Sequence, residues 1–358
     1  MYTINMLSKA DMVKGQGVAS AHDEQVKLAK EVLQGRFEIL ENSHKGCDIT
    51  HIHTINPEFF IRLPFIKHRG MAVGYVHFLP ETLENSIHLP KAAKKIFYKY
   101  VLTFYKQMDH LVTVNPYFID VLEKYGIPRE KVSYIPNFVS EEQFYPLSAD
   151  EKSTLREKYH LPKDRFTVLC AGQLQLRKGI MDFFALAKRM PDVEFIWAGG
   201  FSFGKISDGY EEIKKEMEHL PENVRMLGLL DREVMNEVYN MADVMFLPSY
   251  EELFPMTILE AMNCRIPILV RDLDIYDNIL FDYVQRGQDI NEFQSLLQLL
   301  NQDKSFYEYA ASCAFEGHEF YSRAHVGQMW LNFYEDTVQA ETERAWGFDK
   351  RKEAYQWK

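Results

Sequence analysis

The chain has 358 residues, and its 52 acidic residues against 41 lysines and arginines give a net charge of -11. Such an excess excludes a general nucleic-acid binder, whose affinity comes from neutralising phosphates with cations. A hydrophobic content of 46% is ample for two cores, so two domains are expected. Cys47, Cys170, Cys264 and Cys313 are scattered, lack CxxC spacing and sit mostly in apolar runs, which predicts reduced core thiols and no metal site. The N-terminus MYTINMLSKADMVKG has no long apolar core or small-residue cleavage site, and no run of about 18 apolar residues occurs anywhere. A cytoplasmic, non-spanning protein is the expectation.

Apolar runs that read as strands recur through the first 140 residues: Tyr2 to Leu7, Asp48 to His53, Ala72 to His77, Leu111 to Val114 and Val132 to Ile135. Helical patterns such as His22 to Leu33 and Tyr117 to Tyr125 separate most of them. The alternation pauses at Pro146 to Asp150, a linker, and restarts with Phe166 to Cys170, Val193 to Ala198, Val224 to Leu227, Val244 to Leu247 and Ile266 to Val270. Strand and helix alternating in this way imply an α/β chain of two doubly wound parallel sheets facing a cleft, with ligands at the carboxyl ends of the strands. Residues 1–147 are expected to form the first domain and 148–317 the second. The tail, 318–358, is rich in aromatic and charged residues and reads as helix.

The stretch Pro248 to Val270 carries the strongest chemical signal. It follows the run Val244 to Leu247, turns through Glu252, and continues as a helix whose Ile258, Leu259 and Met262 face a core. Glu260 lies one turn deeper than Met256 on the same helix face, so both carboxylates can border one cavity. The unpaired N–H groups of the first turn hold a phosphate well. An anion cradle flanked by two acceptors for sugar hydroxyls results.

Three further places could carry chemistry. Gly15 and Gly17 follow the first strand and open a helix, where glycine lets backbone N–H groups approach a phosphate. The first strand of the second domain leads into Gly172, Gln173, Arg177, Lys178 and Gly179, with two adjacent cations. His77 ends a strand, where imidazole can donate to a sugar oxygen or help move a proton. His51 and His53, ending the preceding strand, could line the same region, although a structural role is favoured for them.

These phrases resemble the retaining glycosyltransferases of GT-B architecture, a family with two Rossmann-like domains. The likeness covers nearly the whole chain. It is most specific in Met6 to Val18, in Gln173 with Arg177, Lys178 and Gly179, and in Trp197 to Gly204, which are similar to Gram-positive enzymes that extend diacylglycerol glycolipids. The resemblance implies that Glu252 and His77 act on the donor sugar and acceptor. It implies that Gly17, Arg177, Lys178, Phe254, Pro255, Met256, Thr257 and Glu260 bind a UDP-hexose, Glu260 through the ribose. Related transferases usually carry an Arg where Gln173 stands, and Arg177 is expected to replace it in part. The implied reaction needs no metal and no cofactor, the tail from 318 is implied to return to the first domain, and the implied acceptor is a membrane glycolipid.

From Asn85 to Met108 there is no acidic residue but five lysines: Lys91, Lys94, Lys95, Lys99 and Lys106. A helix here would place Ile96, Phe97, Tyr100, Val101 and Phe104 on one face and Lys91, Lys95, Lys99 and Lys106 on the other. That suits an anionic membrane surface. It also suits a helix that packs its aromatics into the first domain and leaves its lysines in water, and the two are compatible. Alternatives to the glycolipid reading are a same-fold transferase acting on a soluble or polymeric acceptor, such as a teichoic acid or capsule precursor, and a nucleotide-sugar epimerase or non-catalytic binder. A dinucleotide-dependent oxidoreductase is disfavoured, since no GxGxxG follows either first strand.

Overall fold

The computed structural model describes all residues except 10–16, 78, 80–89, 202–203, 205–206 and 356–358, and leaves the side chains of 17–21, 91 and 341–355 undescribed. The chain divides into two compact units. One comprises Met1–Pro80, Leu89–Pro136 and Arg323–Lys358, and the other is built on Asn137–Ser322.

The first unit runs β1 (Tyr2–Leu7), α1 (Gly17–Val32), β2 (Phe37–Glu41), β3 (Ile49–Ile52), α2 (Pro57–Arg69), β4 (Met71–Val76), α3 (Lys91–Gln107), β5 (His110–Thr113), α4 (Tyr117–Lys124) and β6 (Val132–Tyr134). Its six strands pair in the parallel order β2-β1-β3-β4-β5-β6. β3 and β4 are buried at every residue, as central parallel strands covered on both faces must be. The crossovers β3-α2-β4 and β4-α3-β5 advance in one direction, so right-handedness sets α2 and α3 on the same face of the sheet. The crossover β1-α1-β2 runs the opposite way and puts α1 on the other face.

The second unit runs α5 (Ala149–Lys158), β7 (Thr167–Ala171), α6 (Ile180–Arg189), β8 (Glu194–Ala198), α7 (Tyr210–Met217), β9 (Val224–Gly228), α8 (Arg232–Asn240), β10 (Val244–Leu247), α9 (Met256–Asn263), β11 (Ile268–Arg271), β12 (Gln285–Gly287), α10 (Ile290–Gln302) and α11 (Lys304–Phe320). Its strand order, β12-β11-β10-β7-β8-β9, reverses direction between β10 and β7. Phe183, Phe195, Phe246 and Phe293 fill the core between this sheet and helices α6 and α10.

The final helix α12 (Arg323–Tyr355) belongs to the first unit. Gly327 lets it approach α1 closely: a Cβ there would stand 3.0 Å from Val32 and 3.2 Å from Leu28. Tyr334 on α12 is buried and pairs with His51 Nδ1 at 2.7 Å.

Four details differ from the sequence reading. The passage to the second unit falls after Pro136, not at residue 147, because Phe138, Val139 and Phe144 are buried and the N–H groups of Tyr145 and Leu147 donate to Asn236 and Asn240 of α8. The return falls at Arg323 instead of 318, since α11 runs through Phe320. β2 and β12 are strands not expected from sequence. Both are edge strands with charged or polar residues, and they pair by backbone and not by an apolar run.

Candidate functional site

The loops that follow β7 and β10 meet at the point where the second sheet reverses direction, which is where ligands bind in open α/β sheets. After β7 the chain passes through Gly172 and a 3-10 turn, Leu176–Lys178, and then enters α6 at Gly179 in the left-handed conformation, φ 73°. A Cβ on Gly179 would stand 2.4 Å from the carbonyl oxygen of Pro248. Only glycine therefore permits this approach of the two loops. Tyr250 N–H donates to the Arg177 carbonyl at 2.8 Å and fixes the second contact.

Lys178 is thereby held against Glu252, and the two form a part-buried ion pair through Nζ and Oε1. Burial holds the Lys178 ammonium below its usual range, opposed by the Glu252 charge and reinforced by Arg177. Arg177 does not reach solvent freely. Its Nη1 donates to the Glu251 carbonyl at 3.4 Å, and its buried Nε has no hydrogen-bond partner. Two neighbours also lack a partner: the Ser249 hydroxyl and the hydroxyl of Tyr276, which burial and the Glu252 charge push well up. Arg271 braces the turn from below by donating Nε to the Pro248 carbonyl at 3.0 Å and stacking 3.9 Å from the Tyr250 ring.

Phe254 and Met256 are buried beside the start of α9, which has no side-chain cap at Pro255; Thr257 lies partly open in its first turn. Ile258, Leu259 and Met262 face the core. Glu260 is also buried, and both of its oxygens are occupied: Arg232 Nη1 donates to Oε1 at 2.8 Å and the Tyr239 hydroxyl to Oε2 at 2.7 Å. The two glutamates thus have separate cationic partners, Lys178 and Arg232. Sequence reasoning missed Arg232, Tyr239, Tyr276 and Arg271, since nothing in the local pattern connects residues that lie on other helices and strands.

In the first unit the carboxyl ends of β3 and β4 bring histidines together. His77 follows β4, its ring stacked on Tyr75 with centroids 4.2 Å apart. His53 stacks on Tyr75 at 5.2 Å and lies 4.4 Å from His51 and 4.5 Å from His22. His51 Nε2, both ring nitrogens of His53 and His77 Nε2 are buried without a hydrogen-bond partner. Burial pushes His77 down to about 3, with His22 adding to it. His51 and His53 are held well below the usual imidazole range, again by burial first. Gly17 opens α1, while Gly15 and Gln16 lie outside the described residues.

Helix α3 departs from the predicted projection. Val101, Phe104 and Tyr105 are its buried residues, Tyr100 donates its hydroxyl to the Ile55 carbonyl, and Ile96 is exposed rather than packed with them. Lys95, Lys99 and Lys106 are exposed, Lys94 lies over the Tyr98 ring at 5.7 Å, and the Lys91 side chain lies outside the described residues. No described helix is long and apolar enough to cross a membrane. Among the described residues no group of three or more His, Cys, Asp and Glu side chains could hold a metal ion.

Two parallel doubly wound units, with a basic loop and a glutamate pair at the reversal of the second sheet, define a GT-B glycosyltransferase. The chain belongs to that family: it matches the model described as Glycosyl transferases group 1 over residues 151–304 and that described as Glycosyltransferase Family 4 over residues 28–143. It is 45% identical, over 93% of its own length and 89% of the relative's, to the alpha-galactosylglucosyldiacylglycerol synthase of Streptococcus pneumoniae. A processive diacylglycerol alpha-glucosyltransferase of Acholeplasma laidlawii is 26% identical over 83% of this chain and 87% of that one. Among solved structures, Anabaena HepE in complex with UDP and glucose superposes with a TM-score of 0.73, covering 94% of this chain and all of that one at 15% identity. That likeness concerns the fold.

Proposed function

We propose that the protein transfers a hexose, with retention of configuration, from a UDP-sugar to a membrane glycolipid such as monoglucosyldiacylglycerol. Galactose is the favoured sugar and glucose the alternative. The observation that carries the reading is the Lys178–Glu252 pair beside the uncapped start of α9, at the reversal of the second sheet. The 45% identity to a glycolipid synthase supports the acceptor class.

In this reading Lys178, Arg177 and the N–H groups at Met256 and Thr257 hold the diphosphate and stabilise the charge that grows on it as the glycosidic bond breaks. Positive charge from the chain itself suffices, so the reaction is proposed to need no metal and no cofactor. Glu252 holds the donor sugar, with Phe254 and Pro255 shaping the turn around it. Glu260, oriented by Arg232 and Tyr239, accepts from the ribose hydroxyls. On the first unit His77, kept neutral by its burial, meets the acceptor hydroxyl as a hydrogen-bonding group. Gly17, which opens α1, is proposed to offer its backbone N–H to the donor. The lysines of α3, Lys91, Lys94, Lys95, Lys99 and Lys106, bring the enzyme to an anionic membrane surface on the cytoplasmic side.

UDP release by the purified protein tests this directly, with UDP-glucose or UDP-galactose and diacylglycerol, monoglucosyldiacylglycerol or no acceptor, in anionic mixed micelles. Turnover with the glycosylated lipid alone is expected. Binding of UDP without transfer to either lipid would move the acceptor to the soluble or polymeric class.

A further inference from the structure

Around the Lys178–Glu252 pair, three groups able to donate a hydrogen bond have nothing to donate to. They are Arg177 Nε, the Ser249 hydroxyl and the Tyr276 hydroxyl, each buried. A buried donor without an acceptor costs stability, so such groups mark places where a partner arrives. At the same place Lys178 and Glu252 satisfy each other, which ties the carboxylate of the turn to the ammonium of the basic loop.

Tyr276 is the most firmly placed of the three. It closes a 3-10 turn, Asp274–Tyr276, that follows β11, the strand paired with β10. Its N–H donates to the Leu273 carbonyl at 2.9 Å, and its own carbonyl accepts from the N–H groups of Ile279 and Leu280 at 3.1 and 2.8 Å. The side chain is fully buried. Two charged side chains act on its hydroxyl, Glu252 and Arg286. Arg286 carries only donors, and it spends Nη1 on Asp277 at 2.8 Å and Nη2 on the Tyr276 carbonyl at 3.1 Å. Glu252 is therefore the one of the two that can accept from the hydroxyl. Burial keeps that hydroxyl protonated, so it stays a donor.

We propose that Tyr276 is a positioning residue for Glu252: when the donor's diphosphate draws Lys178 away, Glu252 exchanges its ammonium partner for the Tyr276 hydroxyl and turns its other oxygen to the sugar. The inference rests on the UDP-hexose reading above and adds an order of events to it. In the free chain the ion pair holds both side chains back. An anionic diphosphate competes for Lys178, and without a replacement donor the carboxylate would be left charged and poorly solvated. The hydroxyl supplies that donor from a fixed place. No proton changes hands, and Glu252 remains a carboxylate able to accept from a sugar hydroxyl. The same diphosphate offers Arg177 Nε an acceptor.

Tyr276→Phe in the full chain tests the exchange. Its ligand-free thermal midpoint is expected to equal or exceed that of the unsubstituted chain, because the lost hydroxyl has no partner there. UDP affinity by calorimetry should fall by roughly tenfold, and KM for the UDP-hexose should rise by more than kcat falls. In a Glu252→Gln background, where no charge is released, the same substitution should change UDP affinity by less than about twofold. A lowered ligand-free midpoint would show that the hydroxyl serves the resting fold, and overturns the exchange. Unchanged UDP affinity in Tyr276→Phe, or an equal loss in both backgrounds, overturns it as well. Failure of the transferase reading shows separately: an unsubstituted chain that binds no UDP removes the donor site, and the exchange falls with it.

Discussion

Lys178 and Glu252 form a part-buried ion pair between the loops that follow β7 and β10. Removing one partner of such a pair leaves a poorly solvated charge uncompensated, at a cost of up to about 3 kcal/mol, the low end of the range for a fully buried pair. Lys178→Ala and Glu252→Ala are each expected to remove most turnover and to lower the thermal midpoint. Lys178→Met combined with Glu252→Gln should recover much of the midpoint without recovering turnover. Full activity in either single variant, measured as UDP release, would refute the assigned roles.

Glu260 depends on Arg232 and Tyr239. Arg232→Ala removes a charge-assisted hydrogen bond worth about 1.5–3 kcal/mol and frees the carboxylate to turn away from the ribose. We expect UDP affinity by calorimetry to fall by roughly one to two orders of magnitude, with a smaller change in kcat at saturating donor. Tyr239→Phe should act in the same direction and more weakly. An Arg232→Ala variant with wild-type UDP affinity would place Glu260 outside the donor site.

The histidines of the first unit predict a pH dependence. His51, His53 and His77 are held below the ordinary imidazole range when folded, His77 at about 3, whereas the unfolded chain takes up protons near 6.5. Below that value the unfolded state binds more protons than the folded one, so stability is complete at neutral pH and declines as the pH falls through 6.5 toward the folded values. Each histidine contributes a slope of up to about 1.4 kcal/mol per pH unit. Thermal midpoints between pH 7.5 and 5.5 check this, and His53→Phe should flatten the decline by one proton. The pH profile of turnover should show no ionisation of His77 between 5 and 8.

Gly179 sets the approach of the two loops. Gly179→Ala places a Cβ against the Pro248 carbonyl and imposes a left-handed backbone on a residue that resists it. We expect a loss of about 1–3 kcal/mol of stability and a fall in kcat greater than the fall in folded fraction, because Lys178 moves with the turn. Equal losses in both would make the position purely structural.

Much of the fold was readable because parallel strands buried on both faces must be apolar throughout. Val244 to Leu247 and the run around Ala72 to Val76 declare themselves in this way. β2 and β12 did not, because edge strands pair by backbone alone and tolerate Glu38, Glu41, Gln285 and Arg286. The linker composition at Pro146 to Asp150 suggested a boundary, but the passage between units lies earlier, where Phe138 and Phe144 are buried in the second unit. On α3 the helical projection placed Ile96 with the buried residues. Ile96 lies one turn before Tyr100 on the same side of the helix, but Phe60 of α2 packs against Tyr100 and Phe104, so the covered stretch begins a turn later than the apolar face does.

By itself the sequence determined the alternation of strand and helix, the glutamates eight residues apart and the cations at Arg177 and Lys178, because backbone periodicity and side-chain identity are local properties. Only the tertiary structure decided that Lys178 meets Glu252, that Arg232 and Tyr239 hold Glu260, that four histidines gather beside Tyr75, and that α2 leaves Ile61 and Phe65 in the open. Each of these depends on which distant segments the sheet order makes neighbours, and on which faces remain after the core has closed.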